Sequence, residues 1–159
     1  MGRRAATYTS QQGCWSPLSA FVDTNILVRH LTGDPAEMAT RATAFLAGAE
    51  ELLLTDLILA ETIYVLESFY KAPRTQIADA MRSVVAMDSI VTIDPAMLLR
   101  AIEVYEVDRI DFAEAYLVAQ AESTGIRAVA SFDKSIDRVK TVTRIEPPTF
   151  PEPSGPTIV

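Results

Sequence analysis

The chain has 159 residues, 49% hydrophobic and 22% charged, which suits one folded domain and leaves too little chain for two well-buried ones. Its net charge of −7 excludes a protein that coats nucleic acid through a broad basic face. It does not exclude a nuclease, whose metal-binding acids make the site itself negative. One cysteine (Cys14) and one histidine (His30) exclude an internal disulfide framework, a four-ligand N/S zinc site and two-histidine acid–base chemistry.

A lone cysteine fits a reducing cytoplasm, the expected location. No apolar run approaches the ~18 residues of a membrane helix. No G-x-S-x-G surrounds any serine. An enzyme built on this chain works with carboxylates, of which Asp and Glu supply 21. Arginine outnumbers lysine 11 to 3. That bias suits bidentate phosphate contacts, and genome composition explains it as well.

Residues 1–18 are polar and irregular and read as a flexible extension. No apolar segment follows Arg3 and Arg4 to make a secretion signal, and Ala6 breaks a myristoylation motif at Gly2. Residues 147–159 hold five of the nine prolines and read as an extended tail. The folded part is therefore 19–146.

Within it strand and helix patterns alternate. Ala20–Val22 is a short apolar strand ending at Asp23. Asp34-Pro35-Ala36-Glu37 reads as a helix start, with Asp34 as the cap and Glu37 reaching back. Met38, Ala42, Phe45, Leu46 and Ala49 then recur at helical spacing. Leu52–Leu54 is a buried strand, and a helix follows from Asp56 to Tyr70. Pro73 opens the next helix, with Ile77, Ala80, Met81, Val84 and Val85 on one face. Ser89–Ile93 alternates like a strand. Asp94-Pro95 caps a helix through Tyr105, and Asp111 opens another that Gly125 ends. Arg127–Phe132 and Val142–Ile145 complete the strands. The rhythm implies an α/β fold with a mainly parallel sheet, whose ligands lie beyond the carboxyl ends of the strands.

Five acids stand in informative places. Asp23 and Asp133 each follow an apolar strand at that carboxyl edge, where a turn or cap role is the plain alternative. Glu61 interrupts a helix that is apolar nearly all round from Leu57 to Leu66, so burial is expected there, with the charge paired or metal-bound. Glu67, where polarity returns, is expected to be solvated. Asp111 and Glu114 form a D-x-x-E pair at a helix start, which reads as a capping box and is compatible with two carboxylates on one face. Carboxylates converging on one sheet edge repel, at roughly 4 kcal/mol per pair 4 Å apart at an effective dielectric of 20. Such a cluster needs a cation or retained protons. Oxygen ligands favour Mg²⁺ or Mn²⁺, and phosphoryl transfer is the natural chemistry.

The segments FVDTNILVRHL, LTDLILAETIYVL, DFAEAYLVAQAESTG and AVASFDKSI, in this order, resemble the PIN-domain nucleases, in particular the VapC-type toxins of prokaryotic toxin–antitoxin pairs. The resemblance covers residues 20–145. It implies a three-layer α/β/α sandwich and a metal-dependent endoribonuclease. It implies Asp23, Asp111, Glu114 and Asp133 as ligands of Mg²⁺ or Mn²⁺, with Glu61 ligating through water or orienting the attacking water. Thr24, Asn25 and Ser131 match supporting positions. Glu114 stands where the family more often has Asp; the extra methylene alters metal geometry. Arg29, Arg109 and Lys134 are candidate phosphate contacts. The implied partners are RNA, a small antitoxin lying in an apolar groove near the site, and a second copy in a homodimer, with no membrane. The family's usual start also implies that the biological first residue lies nearer Leu18.

The main alternative is a catalytically silent PIN-like module that binds a metal or partner through the same acids. A receiver-like phosphoacceptor would need a second acid beside Asp23, and a nucleotide-binding enzyme would need a glycine-rich phosphate loop; neither is present.

Overall fold

The computed structural model describes residues 19–149. The expectations for residues 1–18 and for the end of the tail lie outside them. The elements run β1 (Ser19–Phe21), α1 (Thr24–Thr32), α2 (Ala36–Gly48), β2 (Glu51–Leu53), α3 (Asp56–Ser68), α4 (Arg74–Val85), β3 (Ile90–Val91), α5 (Pro95–Val107), α6 (Phe112–Thr124), β4 (Ala128–Ala130), a 3₁₀ turn (Lys134–Arg138) and β5 (Thr143–Ile145). The fold is α/β, and every strand pair is parallel. The three-layer α/β/α class expected from the sequence is the one adopted.

The described strands form two parallel sheets, β1-β2-β3 and β4-β5. Side chains alternate across each strand. Val22, Leu52, Leu54 and Ile90 point into the core, while Phe21 and Val91 on the alternate face are exposed. The core is mainly helical. Leu98, Ala101, Ile102 and Tyr105 of α5 are fully buried, and α5 packs along α6, where Ala115 and Ala119 let the helices approach closely.

The strand ends feed helix starts. Asp23 caps α1, Thr55 caps α3 through the Ile58 amide, and Asp94 caps α5 through the Met97 amide at 2.9 Å. Because β1, β2 and β3 are parallel, these three capping groups share the carboxyl edge of one sheet.

Four local expectations need correction. Asp34 does not cap α2; Pro35 holds the cap position without a side-chain bond, and the Asp34 carbonyl instead accepts from Arg29 at 2.9 Å. Glu61 is exposed, because α3 turns Leu57 and Tyr64 outward with it and buries Leu59, Thr62, Ile63 and Leu66. Glu67 is not solvated: it accepts the Tyr105 hydroxyl at 2.6 Å and pairs with Arg74 at 3.5 Å. Asp111 stands at the α6 cap position, but its side chain makes no cap bond, so the capping box does not form.

Candidate active site

The residues after β1 build the first part of the site. Asp23 has extended backbone, as a cap residue must, and its Oδ2 accepts from the amide and the side chain of Asn25, both at 3.3 Å. Thr24, the first residue of α1, is buried, and its hydroxyl donates to Glu61 Oε2 at 2.6 Å. Each carboxylate therefore has one oxygen anchored by a neutral donor and one left uncommitted. Asp23, Thr24, Asn25 and Glu61 line one cavity of about 320 Å³, together with Arg29, Asp34 and the aromatic pair Phe69 and Tyr70. Three carboxylates and a single arginine give its wall a negative balance. That arginine is already engaged: Arg29 Nη1 donates to the Asp34 carbonyl and, at 3.4 Å, to the Tyr70 hydroxyl. His30 takes no part. Its Nδ1 bonds the Thr43 hydroxyl at 2.9 Å, beside a separate cavity.

The other predicted acids lie elsewhere. On a helix advancing about 100° per residue, Asp56 and Glu67 fall within about 20° of each other, and Glu61 about 140° from Asp56. Along the Asp56–Glu67 stripe, Asp56 accepts from Tyr116 of α6 at 2.6 Å, Glu67 accepts from Tyr105 of α5, and Arg74 of α4 lies between Glu67 and Asp111, 4.0 Å from the latter. So α3 presents Glu61 on one side and engages the Asp111 end of α6 on another. Glu114, in the first turn of α6, has a buried oxygen, Oε2, with no hydrogen-bond partner. Asp133 follows β4 and caps the 3₁₀ turn. Its Oδ1 accepts the Ser135 amide at 2.7 Å, and its own amide donates to Ser131 at 2.9 Å. The Ser135 bonds, then the charges of Arg138 and Arg144, hold its carboxyl below the usual aspartate range. Among the described residues no three of His, Cys, Asp and Glu gather closely enough to cage a metal ion.

Two arginines tie this second set together. Arg74 donates to the carbonyls of Tyr105, at 2.7 Å, and of Ile110, and lies over the Tyr105 ring. Arg138 donates to the Arg109 carbonyl at 2.7 Å. The turn before Asp111, with Arg109 at a left-handed φ of 56°, is thus clamped from α4 and from the Asp133 turn. Of the candidate phosphate contacts, Arg29 belongs to the cavity wall, while Arg109 and Lys134 are exposed beside Asp111 and Asp133.

The donor set fits a hydrated Mg²⁺. Such an ion keeps several waters and is commonly held by one or two carboxylates plus phosphate oxygens. Asp23 and Glu61 offer one uncommitted oxygen each, and Glu114 Oε2 is a third carboxylate oxygen without a partner. Sequence reasoning missed Asp34, Phe69, Tyr70, Arg74 and Arg138. The one signal available was the Phe69-Tyr70 pair at a helix end, where apolar residues have no further turn to pack against.

Among solved structures the chain matches VapC20 of Mycobacterium tuberculosis, described as a Sarcin-Ricin loop cleaving toxin, at 18% identity over 75% of this chain and 93% of that one, with a TM-score of 0.38. No curated relative matches the chain. The model of the PIN domain matches residues 20–142, most of the chain and all the acids discussed above. The chain belongs to the PIN-domain family.

Proposed function

We propose that the protein is a metal-dependent endoribonuclease, the toxin of a type II toxin–antitoxin pair. The observation that carries the reading is the Thr24–Glu61 bond beside Asp23, which leaves two half-anchored carboxylates in one cavity. Mg²⁺ or Mn²⁺, when bound, supplies a Lewis acid for the phosphodiester and lowers the pKa of a water. Asp23 would hold it in the cavity, and Asp111, Glu114 and Asp133, which stand outside that cavity, would reach it through bound water or substrate phosphate. The uncommitted oxygen of Glu61, kept in place by Thr24, orients the attacking water and takes its proton. In-line attack leaves a 5′-phosphate and a 3′-hydroxyl, and needs no histidine to activate the 2′-hydroxyl. Arg29, Arg109 and Lys134 contact phosphates.

The α1–α2 groove supports the partner. Asn25, Ile26, Arg29, Met38, Arg41, Ala42, Ala44 and Phe45 line a mostly apolar cavity of about 580 Å³ that shares Asn25 and Arg29 with the carboxylate cavity. An antitoxin segment seated there reaches the site. The protein acts as a homodimer in the cytoplasm. Among the described residues no helix is long and apolar enough to cross a membrane.

The test is RNA cleavage by antitoxin-free protein with Mg²⁺ or Mn²⁺ against EDTA. Metal-dependent cutting with 5′-phosphate ends supports the reading. No cutting of several structured RNAs with either metal overturns it in favour of the silent binding module.

A further inference from the structure

We propose that Phe69 is a nucleobase-stacking residue: an unpaired base of the RNA lies on its exposed ring while the neighbouring phosphate sits at Asp23 and Glu61. The inference rests on the ribonuclease reading and adds a specificity-determining residue to it. Phe69 ends α3, its amide bonded to Val65 O at 2.9 Å, and the Tyr70 amide reaches the same carbonyl at 3.3 Å. The two rings meet edge to face, with centroids 5.0 Å apart and planes at 73°. Tyr70 is tied in turn to Arg29, which is tied to the Asp34 carbonyl. The Phe69 backbone is therefore fixed and its ring braced. Even so, the residue is 76% exposed, in the wall of the cavity that holds the two carboxylates.

A ring this exposed contributes little to the core. Its surroundings also argue against an apolar partner helix, because Asp23, Asp34, Glu61 and Arg29 share the same wall. RNA fits both features. A phosphate held at the carboxylates through the proposed divalent cation would carry a base on either side, within one nucleotide's reach of a cavity of this size. Aromatic stacking accepts any base with a free face and requires that base to be unstacked from its neighbours. At the Phe69 position the base is therefore unstacked from its neighbours, and its identity matters little.

The experiment uses the full chain with a 5′-fluorescein-labelled, unstructured 12-nucleotide RNA, and the same strand annealed into a duplex. Phe69→Ala and Phe69→Leu are compared with Phe69→Trp; the position is exposed, so folding tolerates all three. Loss of one base stack raises KM about tenfold in the Ala and Leu proteins. Their kcat stays within about twofold, since the reacting groups are untouched. Phe69→Trp restores KM, and its added indole fluorescence is quenched on binding the single strand in Ca²⁺. Wild-type protein cuts the single strand in preference to the duplex. Equal KM in wild type and Phe69→Leu overturns the proposal. So does a wild-type dimer that Phe69→Ala dissociates in sedimentation, since a second copy then covers the ring. If wild-type protein cuts and the variants match it, this inference alone fails. If wild-type protein neither binds nor cuts RNA with any metal, the ribonuclease reading fails and this one with it.

Discussion

The two halves of the candidate site differ in the charge that surrounds their carboxylates. Asp23 and Glu61 are positioned by neutral donors, the Asn25 amide groups and the Thr24 hydroxyl. Asp111 lies 4.0 Å from Arg74, while Asp133, whose carboxylate accepts the neutral Ser135 amide, sits in a loop that Arg144 pins through the Ser131 carbonyl and Asp137 and that feels the charges of Arg138 and Arg144. A neutral donor orients a carboxylate without cancelling its charge. An arginine orients and neutralises at once. The first half therefore keeps its negative charge uncompensated. The second half already holds compensating charge, and an arriving cation there competes with the guanidinium of Arg74.

The largest effect is expected in the first half. Asp23→Asn keeps both Asn25 contacts within reach and removes the charge. Cleavage should fall at least ~100-fold, since losing a metal ligand removes several kcal/mol of transition-state stabilisation. Stability should change by no more than about 0.5 kcal/mol, because the side chain is exposed. Cleavage kinetics beside a thermal melt measure both. Unchanged cleavage would sink the assignment of Asp23.

Thr24 tests how the neutral half works. Thr24→Val keeps the buried shape but loses the donor to Glu61, and kcat should drop ~10- to 100-fold, the usual effect of removing a group that orients a catalytic one. Thr24→Ser retains the hydroxyl and should keep most activity. If Val and Ser behave alike, the 2.6 Å bond has no catalytic role.

Arg74→Lys tests the charged half. Lysine preserves the cation, but with one nitrogen it cannot hold the two carbonyls as Nη1 does and face Glu67 and Asp111 as Nη2 does. The clamp on the turn before Asp111 is lost, and stability should fall by about 1–3 kcal/mol. Activity should fall about tenfold or less, because Asp111 is displaced and not removed. Arg82→Lys, on the same helix and bound to Asp79 and Glu106, is the control. It should lose comparable stability with full cleavage well below its melting temperature. If the two variants lose activity in proportion to stability, Arg74 is only a structural tie.

The contrast also marks what the sequence could reveal. The strand-to-acid steps at Asp23 and Asp133 and the Asp94-Pro95 cap were legible, because each depends on neighbours one to three residues away. The exposure of Glu61 was not. An apolar stretch looks the same whether Leu57 and Tyr64 are buried or left open, and only the packing of α1 and α6 on the other sides of α3 decides it. Glu67 was misread because Tyr105, its hydrogen-bond donor, is 38 residues away. The capping box was expected from spacing alone. Arg74, 36 residues before Ile110, draws on that turn and on Asp111 instead. The separation of β1-β2-β3 from β4-β5 left no trace in the strand patterns, which describe each strand's faces and not its edge partners.

The smallest effect concerns the fastening between the halves. Tyr116 of α6 donates to Asp56 of α3 at 2.6 Å, and this bond, burial, and the charges of Asp56 and Asp94 push the phenol up to about 12. An unfolded tyrosine titrates near pH ~10, so the folded state holds this proton more tightly than the unfolded state does. The resulting stability is fully present below pH ~10 and is lost as pH rises through the folded value. Tyr105, also pushed up by burial and by Glu67, adds a loss of the same sign. Unfolding free energies from urea titrations of Tyr116→Phe should lie below wild type by about 1 kcal/mol at neutral pH. They should then converge on it between pH ~10 and 12, with Tyr105 supplying the slope that both proteins share. Parallel curves across that range would mean that the Tyr116–Asp56 bond does not hold α6 against α3. The Asp111 end of the site would then depend on Arg74 and Arg138 alone.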